Sequence, residues 1–95
     1  MAEINWTSNA LTDLSEIGEY IAKNSPKYAE LTVSKLYSKV EILSSHPKIG
    51  RVVPESEQDN LRELIEGSYR IIYEIIGENI FILTIHHSAR RLNLE

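Results

Sequence analysis

Apolar positions in the first part of the chain recur at the intervals of an amphipathic helix. Leucine or isoleucine stands at positions 11, 14, 17 and 21, which predicts a first helix. The preceding stretch "EINW", residues 3–6, predicts a short strand. Thr7 and Ser8 follow this strand. The hydroxyl of either residue can cap the helix by accepting a hydrogen bond from a free backbone N–H group.

A second amphipathic helix follows the short connection "NSP" at 24–26. Ser25 suits the N-cap position, and Pro26 suits the first position of the helix. The apolar residues then recur at four, three, four and three positions: Ala29, Val33, Leu36, Val40 and Leu43. The helix should end near "SHP" at 45–47, because a residue before proline disfavours the α region. Two helices joined by so short a connection predict an antiparallel hairpin.

From residue 61 onward the pattern changes to short apolar runs separated by glycine-containing turns. Three strands are predicted, at 61–66, 69–76 and 80–87. A two-residue turn at Gly67–Ser68 should join the first two strands, and a three-residue turn at 77–79 should join the last two.

The segment before these strands, residues 47–60, contains two prolines, one glycine and several polar residues. It predicts a long loop with a short extended piece at Val52–Val53, and loops of this length are often functional. Together the elements predict an α+β fold in a single domain, residues 1–95, with an N-terminal helical hairpin packed on one face of a mostly antiparallel sheet.

Alternation of side chains along the last two strands predicts which residues share a face of the sheet. With a three-residue turn, Ile76 pairs with Ile80, and the same register pairs Arg70 with His86. One face is then apolar and should lie under the helices; its residues are Ile71, Tyr73, Ile75, Phe81, Leu83 and Ile85. The opposite face is expected to be uncovered and to carry Arg70 and His86, with Glu63 nearby and His87 pointing the other way.

The charge balance narrows the classes of partner. The formal net charge is −4, from 10 basic and 14 acidic residues, and a general nucleic-acid-binding protein is usually basic. All five arginines follow position 50, and arginine can bind a carboxylate or phosphate through two hydrogen bonds. These arginines are Arg51, Arg62, Arg70, Arg90 and Arg91. The second half should therefore bind an anionic group, unless these residues only form surface ion pairs.

Composition also indicates in which cellular compartment the protein is expected. The chain has no cysteine, which suits a reducing environment. No apolar run approaches the roughly 18 residues of a membrane span, and "MAEINW" lacks the basic and apolar regions of a signal peptide. We therefore expect a cytoplasmic protein without a membrane partner.

The polar residues permit acid–base chemistry but do not predict a metal or cofactor site. Adjacent strand histidines face opposite ways, and no third histidine lies nearby in sequence. Cleavage of RNA by its own 2′-hydroxyl needs a base, an acid and a cation to stabilise the phosphorane. The candidates for these roles are Glu55, Arg70, His86 or His87, and Arg90 or Arg91. Alternatively, Arg70 pairs with Glu63 or Glu74 and the histidines merely complete a strand; an anion-binding surface is at least as well supported.

The order and spacing of several motifs resemble the RelE/ParE superfamily of type II toxin–antitoxin toxins. The motifs are "INW", "ALTDLSEIGEYIA", "LSSHPKIGR", "VPE", "LRELIEGSYRIIYEI" and "ILTIHHSAR", which span nearly the full chain. The resemblance implies a helical hairpin on an antiparallel sheet. It also implies an antitoxin partner that wraps the toxin surface. RelE-like members are ribosome-dependent mRNA endonucleases, whereas ParE-like members poison DNA gyrase.

Within this resemblance, Arg70 in "YRIIY" matches the main catalytic arginine of several nucleases, although arginine is also common there in ParE-like members. Glu55 in "GRVVPE" resembles the general-base glutamate of YoeB-like nucleases. The family's strand-end H-x-x-R best matches His87 and Arg90, whereas the strand register favours His86. Both histidines therefore remain candidates.

The departures from the nuclease pattern favour the ParE-like activity. The chain is acidic, has no lysine after Lys48, and ends "RRLNLE" instead of carrying the tyrosine or histidine common in nucleases. Ribosome binding depends heavily on neutralising phosphates. We expect a toxin that inhibits DNA gyrase and is neutralised by an antitoxin, which the five arginines would bind. A RelE/YoeB-like endonuclease acting on the ribosome with its mRNA is the second hypothesis, and a degenerate, binding-only member is the third.

Overall fold

Two α-helices and five strands follow one another in the computed structural model, which describes residues 1–88. The elements are β1 (Glu3–Trp6), α1 (Ser8–Ala22), α2 (Pro26–Lys39), a 3-10 helix (Val40–Ser44), β2 (Arg51–Val52), β3 (Leu61–Glu66), β4 (Tyr69–Ile76) and β5 (Asn79–His87). The predicted α+β class is confirmed, with the helical hairpin on one face of the sheet.

Both helices begin where their capping residues predict. The Thr7 side chain accepts from the Ala10 backbone N–H at 3.2 Å, and the Ser25 hydroxyl accepts from the Tyr28 N–H at 3.1 Å. Leu11, which the spacing placed on the apolar stripe, is exposed, and Ala10 is buried instead. The apolar spacing of α2 continues into the 3-10 helix, which buries Val40 and Leu43.

The five strands form one mixed sheet in the order β1-β5-β4-β3-β2. β1 runs parallel to β5, and the other neighbouring pairs are antiparallel. The main core lies between the sheet and the helices; its buried members are Ala10, Leu14, Leu36, Val40, Leu43, Leu64, Ile71, Tyr73, Ile80, Ile82 and Ile85. In the part of the chain that the structure describes, neither helix is long and apolar enough to span a membrane.

The register between β4 and β5 follows the prediction at one end and departs from it at the other. Arg70 pairs with His86 and Ile71 with Ile85, as predicted. Near the turn, Tyr73 pairs with Ile82, so the predicted Tyr73–Leu83 pair is wrong. Ile82 is buried and Leu83 only half-buried.

A shorter turn explains this difference. Gly77 has a φ of 59°, and the turn contains two residues because β5 already begins at Asn79. A glycine with positive φ at the first turn position fits a type II′ hairpin. A register shift between Ile72 and Tyr73 then restores the predicted pairing at the far end, because a β-bulge takes up one extra residue.

The face of the sheet away from the helices is partly covered. Val53 is buried against Ile72, and Leu61 packs beside them in a small second core. The expectation of an uncovered face is therefore wrong, because the segment that follows β2 packs against apolar residues on that face.

Candidate functional site

Four charged residues form a continuous ion-pair network on the face away from the helices: Arg51, Glu55, Glu63 and Arg70. Nη1 and Nη2 of Arg70 each donate to one oxygen of Glu55 at 2.8 Å, and Nε donates to Oε1 of Glu63 at 2.6 Å. Arg51 Nε donates to the other oxygen of Glu63. The signs alternate along this ion-pair network, so its formal charges cancel.

Strand pairing and a tight turn bring these side chains together. Glu63 of β3 pairs with Arg51 of β2 on one side and with Ile72 of β4 on the other. Arg70 lies two residues before Ile72 on β4 and therefore shares its face. Backbone N–H groups of residues 56 and 57 donate to the Val53 carbonyl oxygen, and this turn carries Glu55 over the sheet.

Burial differs sharply within the ion-pair network. The exposed fraction of the side chain is 0% for Glu63, 7% for Arg70, 26% for Glu55 and 63% for Arg51. Hydrogen bonds to Glu55, and then those to Glu63, raise the pKa of the Arg70 guanidinium, while burial opposes them. An external anion that binds Arg70 must therefore displace Glu55, the more exposed of its two carboxylate partners.

Arg62 lies on the other face of the sheet and holds a loop. Its Nη1 donates to the Gly50 carbonyl oxygen at 2.8 Å, and its Nη2 donates to Asp59 at 2.7 Å. Lys48, with Arg62 adding to its effect, holds the pKa of the Asp59 carboxyl below its ordinary value. Arg62 is thus engaged within the chain and is separate from the ion-pair network.

Tyr73 fixes the chain at residues 47–50, a role that the apolar pattern did not reveal. Its hydroxyl donates to the Pro47 carbonyl oxygen at 2.7 Å and accepts from the Gly50 N–H at 3.0 Å. A Cβ at Gly50 would lie 2.5 Å from the Glu63 carbonyl oxygen and 2.6 Å from Tyr73 Oη. Glycine is therefore required at position 50.

The two histidines lie at the end of β5. His86 pairs with Arg70 and so shares its face, whereas His87 pairs with Tyr69 and meets its ring edge-on, with centroids 5.6 Å apart. Both border a cleft of about 750 Å³ between α1 and the ends of β4 and β5. Asp13 on α1 also lines this cleft, and its Oδ2 accepts from the Ile85 N–H at 3.0 Å.

The structure thus brings some of the predicted site residues together and separates others. Arg51, Glu55 and Arg70 meet, and His86 lies in register with Arg70, while His87 and Arg62 do not join them. Arg90 and Arg91 lie outside the described residues. Among residues 1–88, no three His, Asp or Glu side chains are arranged to hold a metal ion.

Comparison with known proteins shows the family. The family model described as "ParE toxin of type II toxin-antitoxin system, parDE" matches residues 4–92. Toxin RelE2 of Caulobacter vibrioides is 34% identical over 91 residues, covering 95% of this chain and 99% of that protein. Putative toxin Y4kP of Sinorhizobium fredii is 36% identical over 90 residues, covering 93% and 90%.

Solved structures agree with this result. A chain of the chromosomal ParDE toxin–antitoxin system from P. aeruginosa superposes with a TM-score of 0.75 at 27% identity, covering 92% of this chain and 96% of that one. A chain of the RelBE2 toxin–antitoxin complex from Mycobacterium tuberculosis has a TM-score of 0.56 at 24% identity, covering 90% and 96%, and shares the fold. Because the family model and both relatives match nearly the whole chain, this protein belongs to the ParE toxin family of type II toxin–antitoxin systems.

Proposed function

We propose that this toxin acts as a ParE-like inhibitor of DNA gyrase in the cytoplasm, and that a cognate antitoxin neutralises it. The observation that carries the proposal is that the Arg70 guanidinium is already paired with carboxylates of the same chain. Its guanidinium is nearly buried and donates to two carboxylates, Glu55 and Glu63. A group whose charge is already compensated stabilises a developing phosphorane poorly, because catalysis needs donors aimed at the new negative charge.

The charge of the chain supports a protein target more than the ribosome. The net charge is −4, and no lysine follows Lys48. Binding to ribosomal RNA depends on lysine and arginine contacts to phosphates and the release of counterions. An acidic chain therefore gains little from this electrostatic contribution, whereas a protein target can be bound through surface contacts alone.

A ribosome-dependent endonuclease is the second candidate, and one observation favours it. Glu55 lies 2.8 Å from Arg70, and His86 lies in register beside the same residue. A carboxylate, an imidazole and a guanidinium on one face are the groups that metal-independent RNA cleavage uses. One relative is also named as a RelE toxin. This candidate requires Glu55 to leave the guanidinium when RNA binds.

Expression of the toxin followed by two parallel measurements separates these activities. We expect trapped, cleaved DNA and inhibition of plasmid supercoiling by purified gyrase, while translated mRNA stays intact. Toeprinting on translating ribosomes is the decisive opposing measurement. Cuts within codons at the ribosomal A site that disappear with Arg70→Ala would replace the gyrase proposal by the nuclease one.

Stability must be controlled in this experiment, because Arg70 is part of the fold. Each variant is compared with wild type by circular dichroism and thermal unfolding before its activity is assigned. Glu55→Gln serves as a matched variant that leaves Arg70 and Glu63 in place. If gyrase inhibition is the activity, a folded Glu55→Gln variant should retain it.

A further inference from the structure

The outer flank of α2 carries a row of lysines that the ion-pair network does not use. Three lysines and one leucine follow one another at four-residue spacing: Lys27, Leu31, Lys35 and Lys39. Tyr28 lies beside them. Residues four apart lie about 6 Å apart along a helix and on neighbouring parts of its surface. We call this set of five residues the lysine stripe.

The lysine stripe faces solvent while the opposite side of the same helix is anchored in protein. Tyr28 is 62% exposed and Leu31 is 50% exposed, and Lys27 and Lys35 are exposed as well. Lys39 lies 3.9 Å from Glu66, a surface pair of the kind that contributes little. Ala29 and Leu36 are buried beneath the helix, so changes in the stripe should leave the fold intact.

The arginines compare poorly with these lysines as contacts for a partner. Arg70 is 7% exposed and paired with two carboxylates, and Arg62 is tied to Asp59 and to the carbonyl oxygens of residues 48 and 50. The lysine stripe instead combines accessible positive charge with accessible apolar surface on one rigid element. It is therefore better suited to an acidic partner than Arg62 or Arg70.

We propose that the lysine stripe docks an acidic, amphipathic segment of the cognate antitoxin. Carboxylates of that segment would meet Lys27, Lys35 and Lys39, and its apolar side chains would cover Tyr28 and Leu31. Phosphates of a nucleic acid would pair with the lysines but leave both apolar residues in water, and the net charge of −4 opposes such binding. This inference rests on the proposed antitoxin partnership and adds the surface that mediates it.

Isothermal titration calorimetry of the full chain against the product of the adjacent reading frame tests the inference. Lys35→Glu and the double variant Lys27→Glu/Lys35→Glu should weaken binding, the double variant by about tenfold or more, and the affinity should depend less on salt concentration. Tyr28→Ser/Leu31→Ser should weaken binding without changing the salt dependence. The control is Lys48→Glu, an exposed lysine outside the stripe that pairs with Asp59 at the surface, and this variant should bind like wild type.

Four results would overturn the inference, and each has a distinct meaning. If wild type and the stripe variants bind equally and unfold at the same temperature, the lysine stripe is excluded as the docking surface. The antitoxin partnership itself is not contradicted by this result. An equal loss with Lys48→Glu would show a general charge effect instead of a docking surface. If a 20-base-pair DNA duplex bound through the stripe while the antitoxin did not require it, the partner would be nucleic acid. Absence of any binding by the wild-type chain would contradict the antitoxin partnership itself.

Discussion

Glu63 is held between two arginines, and this arrangement explains how a carboxylate is tolerated inside the sheet layer. Its side chain is fully buried, and it accepts from Arg51 on one oxygen and from Arg70 on the other. Burying a charge is costly unless it is paired and hydrogen-bonded. The same pairing keeps Arg70 engaged, so the residue that resembles a catalytic arginine also maintains the fold.

The first prediction concerns the removal of Arg70. Arg70→Ala leaves Glu63 buried with only Arg51 as partner and should reduce the free energy of unfolding by about 3 kcal/mol, since breaking a buried pair typically costs 3–5. The double variant Arg70→Met/Glu63→Leu should regain most of this loss, because both buried charges are then gone and the remaining Arg51 and Glu55 side chains reach solvent. Urea unfolding measures both values. Additive losses in the double variant would contradict the coupling.

At the scale of elements, α1 completes the edge of β5 where β1 ends. β1 pairs with β5 only up to Ile82. Beyond this point the Asn9 side chain donates to the Leu83 carbonyl oxygen at 3.0 Å, and Asp13 accepts from the Ile85 N–H at 3.0 Å and from the Thr84 hydroxyl at 2.5 Å. Side chains of a helix thus take the place of a neighbouring strand and fix α1 against the sheet.

The second prediction tests this contact. Asp13→Ala should reduce the free energy of unfolding by about 1.5–3 kcal/mol, the range for a hydrogen bond to a charged group. Amide hydrogen exchange at Ile85 should accelerate by more than the loss in global stability explains. Exchange at Ile71 on β4 should accelerate only as much as the global loss requires and serves as the reference. Asp13→Asn, which keeps an acceptor oxygen, should stay closer to wild type. Unchanged relative protection of Ile85 in Asp13→Ala would refute the role of the carboxylate.

Across the whole molecule, Tyr73 joins the sheet to the chain that crosses its end. The ring is buried in the main core, and its hydroxyl holds residues 47 and 50. Burial raises the pKa of the Tyr73 phenol. Because the folded state then holds this proton more tightly than the unfolded state, stability is highest below the ordinary pKa and falls as the pH rises above it.

The third prediction is therefore an alkaline loss of stability. The free energy of unfolding should decrease above pH ~10, near the ordinary tyrosine pKa, as measured by urea unfolding between neutral and alkaline pH. Tyr73→Phe should be less stable at neutral pH by about 1–3 kcal/mol, because the Gly50 N–H loses its partner. Its stability should nevertheless decline less steeply at alkaline pH. Parallel curves for the two proteins would assign the alkaline loss to other groups.

Elements with local signals can be predicted from the amino-acid sequence alone. The hydroxyls of Thr7 and Ser25 set the starts of both helices, and the turn at Gly67 sets the register between β3 and β4. Side-chain alternation along β4 and β5 also predicts that His86 lies beside Arg70, and the structure confirms this pairing. Capping, turn chemistry and side-chain alternation act over a few residues, so one sequence is sufficient to read them.

Features that join distant parts of the chain depend on long-range packing and are visible only in the folded structure. The parallel pairing of β1 with β5 brings together residues 76 positions apart, and no local pattern encodes that choice. The two-residue turn and bulge moved Ile82, instead of Leu83, into the core. The segment after β2 covered the face expected to be open and brought Glu55 onto Arg70. Whether Arg70 is available to an external anion depends on this long-range packing, because the charge of a side chain is read from the sequence but its partners are fixed by the fold.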